Sequence, residues 1–91
     1  MKLVWSPVAR AQLLESFAYI AERDVGAAAQ VFERITKRAE SLMDFPELGP
    51  VGRLPDTREL RITGTRYVLV YRVRWEAIEI LAVWHGRQSR K

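Results

Sequence analysis

The side chains able to do chemistry at neutral pH are few, and most fall in the last third of the chain. His85 is the only histidine, and its imidazole is the one group here whose ordinary pKa lies near neutrality. Arg61, Arg66 and Arg87 accompany it, with Arg72 and Arg53 further out. Guanidinium groups hold phosphate through charge-assisted, often bidentate hydrogen bonds. Cleavage of RNA by its own 2′-hydroxyl needs a base, an acid and cations that stabilise charge growing on phosphorus. A histidine among arginines meets that need without a metal: His85 would transfer the proton while Arg61 and Arg87 hold the phosphate. The same residues also read more simply, as a histidine at a strand end and a solvated basic sheet face. With no cysteine and no second histidine, no metal centre is expected. No glycine-rich phosphate loop, Ser/His/Asp set or paired carboxylates stands out, so no cofactor is expected either.

Three segments must position these residues. Residues 58–88 alternate in the period of β-strands and read as three strands joined by two tight turns, at Gly64-Thr65 and Trp75-Glu76. Turning at Trp75-Glu76 sets Arg72 against Glu79, Val70 against Leu81, Val68 against Val83 and Arg66 against His85. One face then carries Leu60, Ile62, Tyr67, Leu69, Tyr71, Ile78, Ile80, Ala82 and Trp84. The other carries Glu59, Arg61, Arg66, Val68, Val70, Arg72, Glu79, Leu81, Val83 and His85, with Arg87 next. The first face is almost wholly apolar and is expected to take the helices. A slip of one residue would exchange the faces.

Those helices come earlier. Lys2-Leu-Val-Trp5 is a short β-leaning segment cut off by Ser6-Pro7, an N-cap followed by proline at the first helical position. Leu14, Phe17, Ala18 and Ala21, widened by Leu13 and Ile20, give the first helix an apolar stripe. Asp24 caps a second helix running to about Asp44, whose inner face is Ala28, Val31, Phe32, Ile35, Ala39, Leu42 and Met43. So short a joint folds the two back as a hairpin. The loop at 46–56, with three prolines and two glycines, is a stiff spacer that carries Arg53.

The totals bound the rest. Ninety-one residues make one domain, 1–91, with one modest core. Residues 1–45 are neutral overall, and the whole excess of +4 lies in 46–91. A basic half suggests an anionic partner, nucleic acid or an acidic protein segment. No apolar run approaches the ~20 residues of a membrane span, and the absence of cysteine fits a reducing cytoplasm.

Taken in order, the motifs resemble the RelE/ParE superfamily of toxins from bacterial type II toxin–antitoxin modules. The resemblance covers essentially the whole chain: Val4-Trp-Ser-Pro-x-Ala, Tyr19-Ile-Ala, Phe45-Pro-Glu-Leu-Gly-Pro-x-Gly-Arg53, Arg58-Glu-Leu, Tyr67-Val-Leu-Val-Tyr-Arg-Val and Ile80-Leu-Ala-Val-Trp-His-Gly-Arg87. It implies an α+β fold, β-α-α-β-β-β, with the helical hairpin on one face of a small antiparallel sheet. It also implies a cognate antitoxin and a toxin–antitoxin hetero-oligomer. Two targets remain open under it, beside a third reading as an inactive toxin retained as an antitoxin-binding module. RelE-like members cut mRNA on the ribosome with basic, His and Tyr residues on the open sheet face, where Arg61, His85 and Arg87 fall in this chain. ParE-like members poison DNA gyrase without a known catalytic constellation. No tyrosine follows His85 in Gly86-Arg-Gln-Ser-Arg-Lys91, and the Val-Trp-His-Gly ending is closer to ParE-like members.

Overall fold

A computed structural model describes residues 1–86. Strand β1 (Lys2–Trp5) leads into helices α1 (Pro7–Ala21) and α2 (Val25–Ser41), followed by strands β2 (Arg58–Arg61), β3 (Tyr67–Arg74) and β4 (Ala77–His85). The sheet order is β1-β4-β3-β2. β2, β3 and β4 form the expected antiparallel meander, whereas β1 joins β4 in parallel, so the sheet as a whole is mixed. The two helices carry the chain from β1 over the sheet to β2 at the far edge, and two antiparallel turns bring it back, so that β4 arrives beside β1 running parallel to it.

Local chemistry explains the helix ends. Ser6 Oγ accepts the Ala9 amide at 3.0 Å, and Asp24 Oδ1 accepts the Ala27 amide at 3.0 Å. Each cap satisfies an amide that has no partner within its helix. The core joins Ala9 and Leu13 of α1 and Ile35, Ala39 and Leu42 (just past the end of α2) to Leu60, Ile62, Leu69, Tyr71, Ile78, Ile80 and Val83 of the sheet side. The stripe of α2 is as expected. That of α1 is so only in part: Leu13 is buried as expected, joined by Ala9, and Phe17, set edge-on against Phe32 at 5.9 Å, Ile20 and Ala21 are half-buried, while Leu14 is 56% exposed and Ala18 faces solvent. Because α1 is apolar nearly all round, its periodicity does not say which side is buried.

The register needs a larger correction. Near the turn the pairing is as expected, with Arg72 opposite Glu79 and Tyr71 opposite Ile80. One step further Val70 meets Ala82, leaving Leu81 as an extra, unmatched residue on β4. This is a β-bulge, and it inverts the alternation of everything beyond it. Val83 therefore turns into the core and His85 lies opposite Tyr67, whereas Ala82 and Trp84 pass to the open face beside Val70 and Val68.

The bulge is held by α1. Strand β1 stops at Trp5, so β4 loses that neighbour just past Ile80. Ser6 Oγ donates to the Leu81 carbonyl at 3.1 Å, and Gln12 Oε1 accepts the Val83 amide at 2.7 Å. Two helix side chains thus take the backbone groups that a strand would have paired.

Candidate functional site

Two surfaces carry the polar side chains singled out above. The first is the open sheet face. Its rows, read across the register, are Arg61–Val68–Trp84, Glu59–Val70–Ala82 and Arg72–Glu79. Val68, Val70 and Ala82 form its buried floor, covered by the long side chains around them.

Two of its arginines have carboxylate partners within the molecule. Arg53 reaches in from the loop, its Nε 3.2 Å from Glu59 Oε2, and its backbone amide donates to the same oxygen at 3.0 Å. Its guanidinium lies 5.7 Å from the centre of the Trp84 ring, a cation–π arrangement. Arg72 Nε is hydrogen-bonded to Glu79 Oε1. Arg61 is exposed, with no ion-pair partner among the described residues. The open face is therefore two ion pairs around an aliphatic floor, with the exposed cations Arg61, Arg74 and Lys2 towards its edges, none of them in an ion pair among the described residues. Trp84 belongs to it, and the alternation that placed Trp84 under the helices missed it for want of the bulge.

The second surface is a cleft of about 430 Å³ on the helix side, lined by Tyr19, Ile20, Val31, Thr65, Arg66, Tyr67 and His85. His85 and Tyr67 pack edge to face, with ring centres 5.5 Å apart. A neighbouring hollow adds Gln12, Glu15 and Ser16 around the same Tyr19, Tyr67 and His85. Burial raises the Tyr67 phenol above its ordinary value, with Tyr19 adding to the effect. These tyrosines come from α1 and β3, so a search for a tyrosine following His85 in sequence does not find them.

The expected constellation is thus divided. His85 and Arg66 border the helix-side cleft, Arg61 stands on the opposite face, and Arg53 and Arg72 lie in ion pairs there. Arg87 lies outside the described residues. Among the described residues there is no group of three or more His, Asp or Glu side chains placed to hold a metal ion, and no helix long and apolar enough to cross a membrane.

A helical hairpin on a four-stranded mixed sheet, closed by the motif loop at 45–53, defines a small toxin fold, and sequence comparison places the chain within it. A family model for the ParE toxin of the type II toxin–antitoxin system parDE matches residues 3–90, and the chain belongs to that family. It is similar to a protein of Sinorhizobium fredii (strain NBRC 101917 / NGR234) named "Putative toxin Y4kP", 37% identical over 88 residues that span 97% of this chain and 91% of the relative. Its fold matches a chain of the chromosomal ParDE system from P. aeruginosa with a TM-score of 0.82, covering 93% of this chain and 95% of that one at 22% identity.

Proposed function

We propose that this toxin acts as a ParE-like, non-catalytic inhibitor of DNA gyrase and is held inactive by a cognate antitoxin. One observation carries the choice: the bulge at Leu81 sends His85 and Arg61 to opposite sides of the sheet. A proton-transferring group and a phosphate clamp must meet at one reacting phosphate, within hydrogen-bond reach of it. Separated by a sheet they cannot do so. The open face, with its Arg53–Glu59–Trp84 cluster, is suited instead to recognition of a protein surface: a central aromatic, an arginine and a polar rim.

The competing reading is ribosome-dependent mRNA cleavage. Its chemistry would have to occur in the cleft of His85, Tyr67, Tyr19 and Arg66, the one place where a titratable imidazole, phenols and a cation share a wall. Induction in cells with two readouts separates the readings. Gyrase-dependent DNA breaks with intact mRNA, unchanged in His85→Gln, are expected. Codon-phased mRNA cuts that disappear in His85→Gln would replace gyrase inhibition by nuclease action. The antitoxin reading is tested apart from this, by co-expressing the small reading frame adjoining the toxin gene and measuring recovery of growth.

A further inference from the structure

The β3–β4 hairpin turns on two residues, Trp75 and Glu76, between the paired Arg74 and Ala77. Of the two only Trp75 takes a positive φ, and it does so at the first turn position, where such hairpins favour glycine. Its indole is also the most exposed large apolar side chain among the described residues. Neither backbone preference nor packing accounts for a tryptophan here, and departures of that kind collect at functional sites.

The surroundings of Trp75 define what it can meet. The last row of the open face is Lys2–Ala77–Arg74, two exposed cations on either side of a small side chain. Their backbones stand two strand spacings apart, roughly 10 Å, so both long side chains can reach a carboxylate seated over Ala77. No carboxylate of the chain takes that place. Glu79 in the next row is bonded to Arg72, and Lys2, Arg74 and Glu76 form no ion pair among the described residues. Val4 on the same face and Val73 on the other are exposed as well.

Resting on the gyrase reading above, we infer that Trp75 is an anchor for the target protein, seated in an apolar pocket whose rim carries carboxylates for Lys2 and Arg74. A tryptophan beside an arginine is the usual make-up of an interface hot spot, and unpaired cations call for acidic groups opposite. The row is continuous with the Arg72–Glu79 row of the open face, which joins the tip to the surface suited to a protein target. The flanking valines favour a protein over a nucleic acid strand, which would set phosphate and sugar against them.

Gyrase-mediated plasmid cleavage by the purified full-length chain, set beside urea unfolding and binding of the antitoxin from the adjoining reading frame, tests the anchor. Trp75→Gly is expected to need at least tenfold more toxin for half-maximal cleavage, with no fall in urea midpoint and unchanged antitoxin binding. Arg74→Glu is expected to weaken cleavage at least fivefold. Trp75→Phe, which keeps an apolar ring, should fall between wild type and Trp75→Gly. A potent wild type and an equally potent Trp75→Gly overturn the anchor and leave the gyrase reading standing. A wild type inert towards gyrase sinks that reading, and the partner assigned to Trp75 with it. A fall in the urea midpoint of Trp75→Gly shows a packing role and overturns the anchor too. Weakened antitoxin binding by Trp75→Gly gives the tip to the antitoxin, and weakened binding to the plasmid without gyrase gives it to nucleic acid; either overturns the proposal.

Discussion

The Tyr71 hydroxyl accepts the Gly49 amide at 2.9 Å and donates to the Pro46 carbonyl at 2.7 Å, so one buried phenol fastens the proline-rich loop to the core. Arg58 secures the same turn by donating to the Gly49 carbonyl at 2.8 Å. Gly49 is required because a Cβ there would stand 2.9 Å from a Tyr71 ring carbon and 3.1 Å from the Glu59 backbone. Tyr71→Phe leaves a buried amide and a carbonyl without their partner and is expected to lower stability by about 1–3 kcal/mol in urea unfolding. A change near zero would mean that water replaces the hydroxyl.

The same phenol predicts the alkaline limit of the fold. Burial raises the Tyr71 pKa above its ordinary value, against the weaker pull of the Gly49 amide and Arg58; Tyr67 is raised as well. A raised pKa in the folded state means that the folded chain holds the proton more tightly. Its contribution is then full below the unfolded value of about 10 and lost as pH rises through the folded value. Stability is therefore expected to fall above about pH 10, less steeply in Tyr71→Phe. Phenolate absorbance should rise together with loss of circular dichroism. Complete tyrosine ionisation in a still-folded chain would contradict the burial.

Trp75 presents the reverse case, a residue the fold holds at a cost. It sits at the β3–β4 turn with φ of 58° and is 89% exposed. A left-handed conformation at a residue bearing a Cβ costs roughly 1 kcal/mol, and no packing offsets it here. Trp75→Gly is expected to raise the urea midpoint, equivalent to about 0.5–1 kcal/mol. A loss of stability instead would show that the indole makes contacts in solution.

The elements and their order were legible in the residues because each has a local cause. Ser6-Pro7 and Asp24 start the helices, and alternation marks the strands; the end of the second helix, expected at Phe45-Pro46, comes earlier, at Ser41. The first half of the β3–β4 register was legible too, since Arg72 and Glu79 are fixed by the turn beside them. The rest was not, because the bulge at Leu81 is stabilised from α1, about 70 residues earlier in the chain, by Ser6 and Gln12. A period-2 pattern contains nothing about such partners. The inverted faces of Trp84 and His85, and so the division of the candidate site, follow from that one residue. The buried side of α1 was obscured for a different reason, the apolar character of its outer face.

The bulge makes a prediction that the regular register would reverse. Val83 is almost fully buried among core residues, so Val83→Asp places a carboxylate under the helices and is expected to prevent folding. Trp84 lies on the open face under the Arg53 guanidinium, partly in water. Trp84→Ala is accordingly expected to cost about 1–2 kcal/mol, below the 3–5 kcal/mol of a tryptophan removed from a core. A double-mutant cycle with Arg53→Ala should return a coupling of about 0.5–1 kcal/mol from the cation–π contact. In the regular register Val83 would face solvent and tolerate a carboxylate, while Trp84→Ala would be the ruinous change. Thermal unfolding of the two variants side by side therefore reads the register directly, and with it the face on which His85 lies.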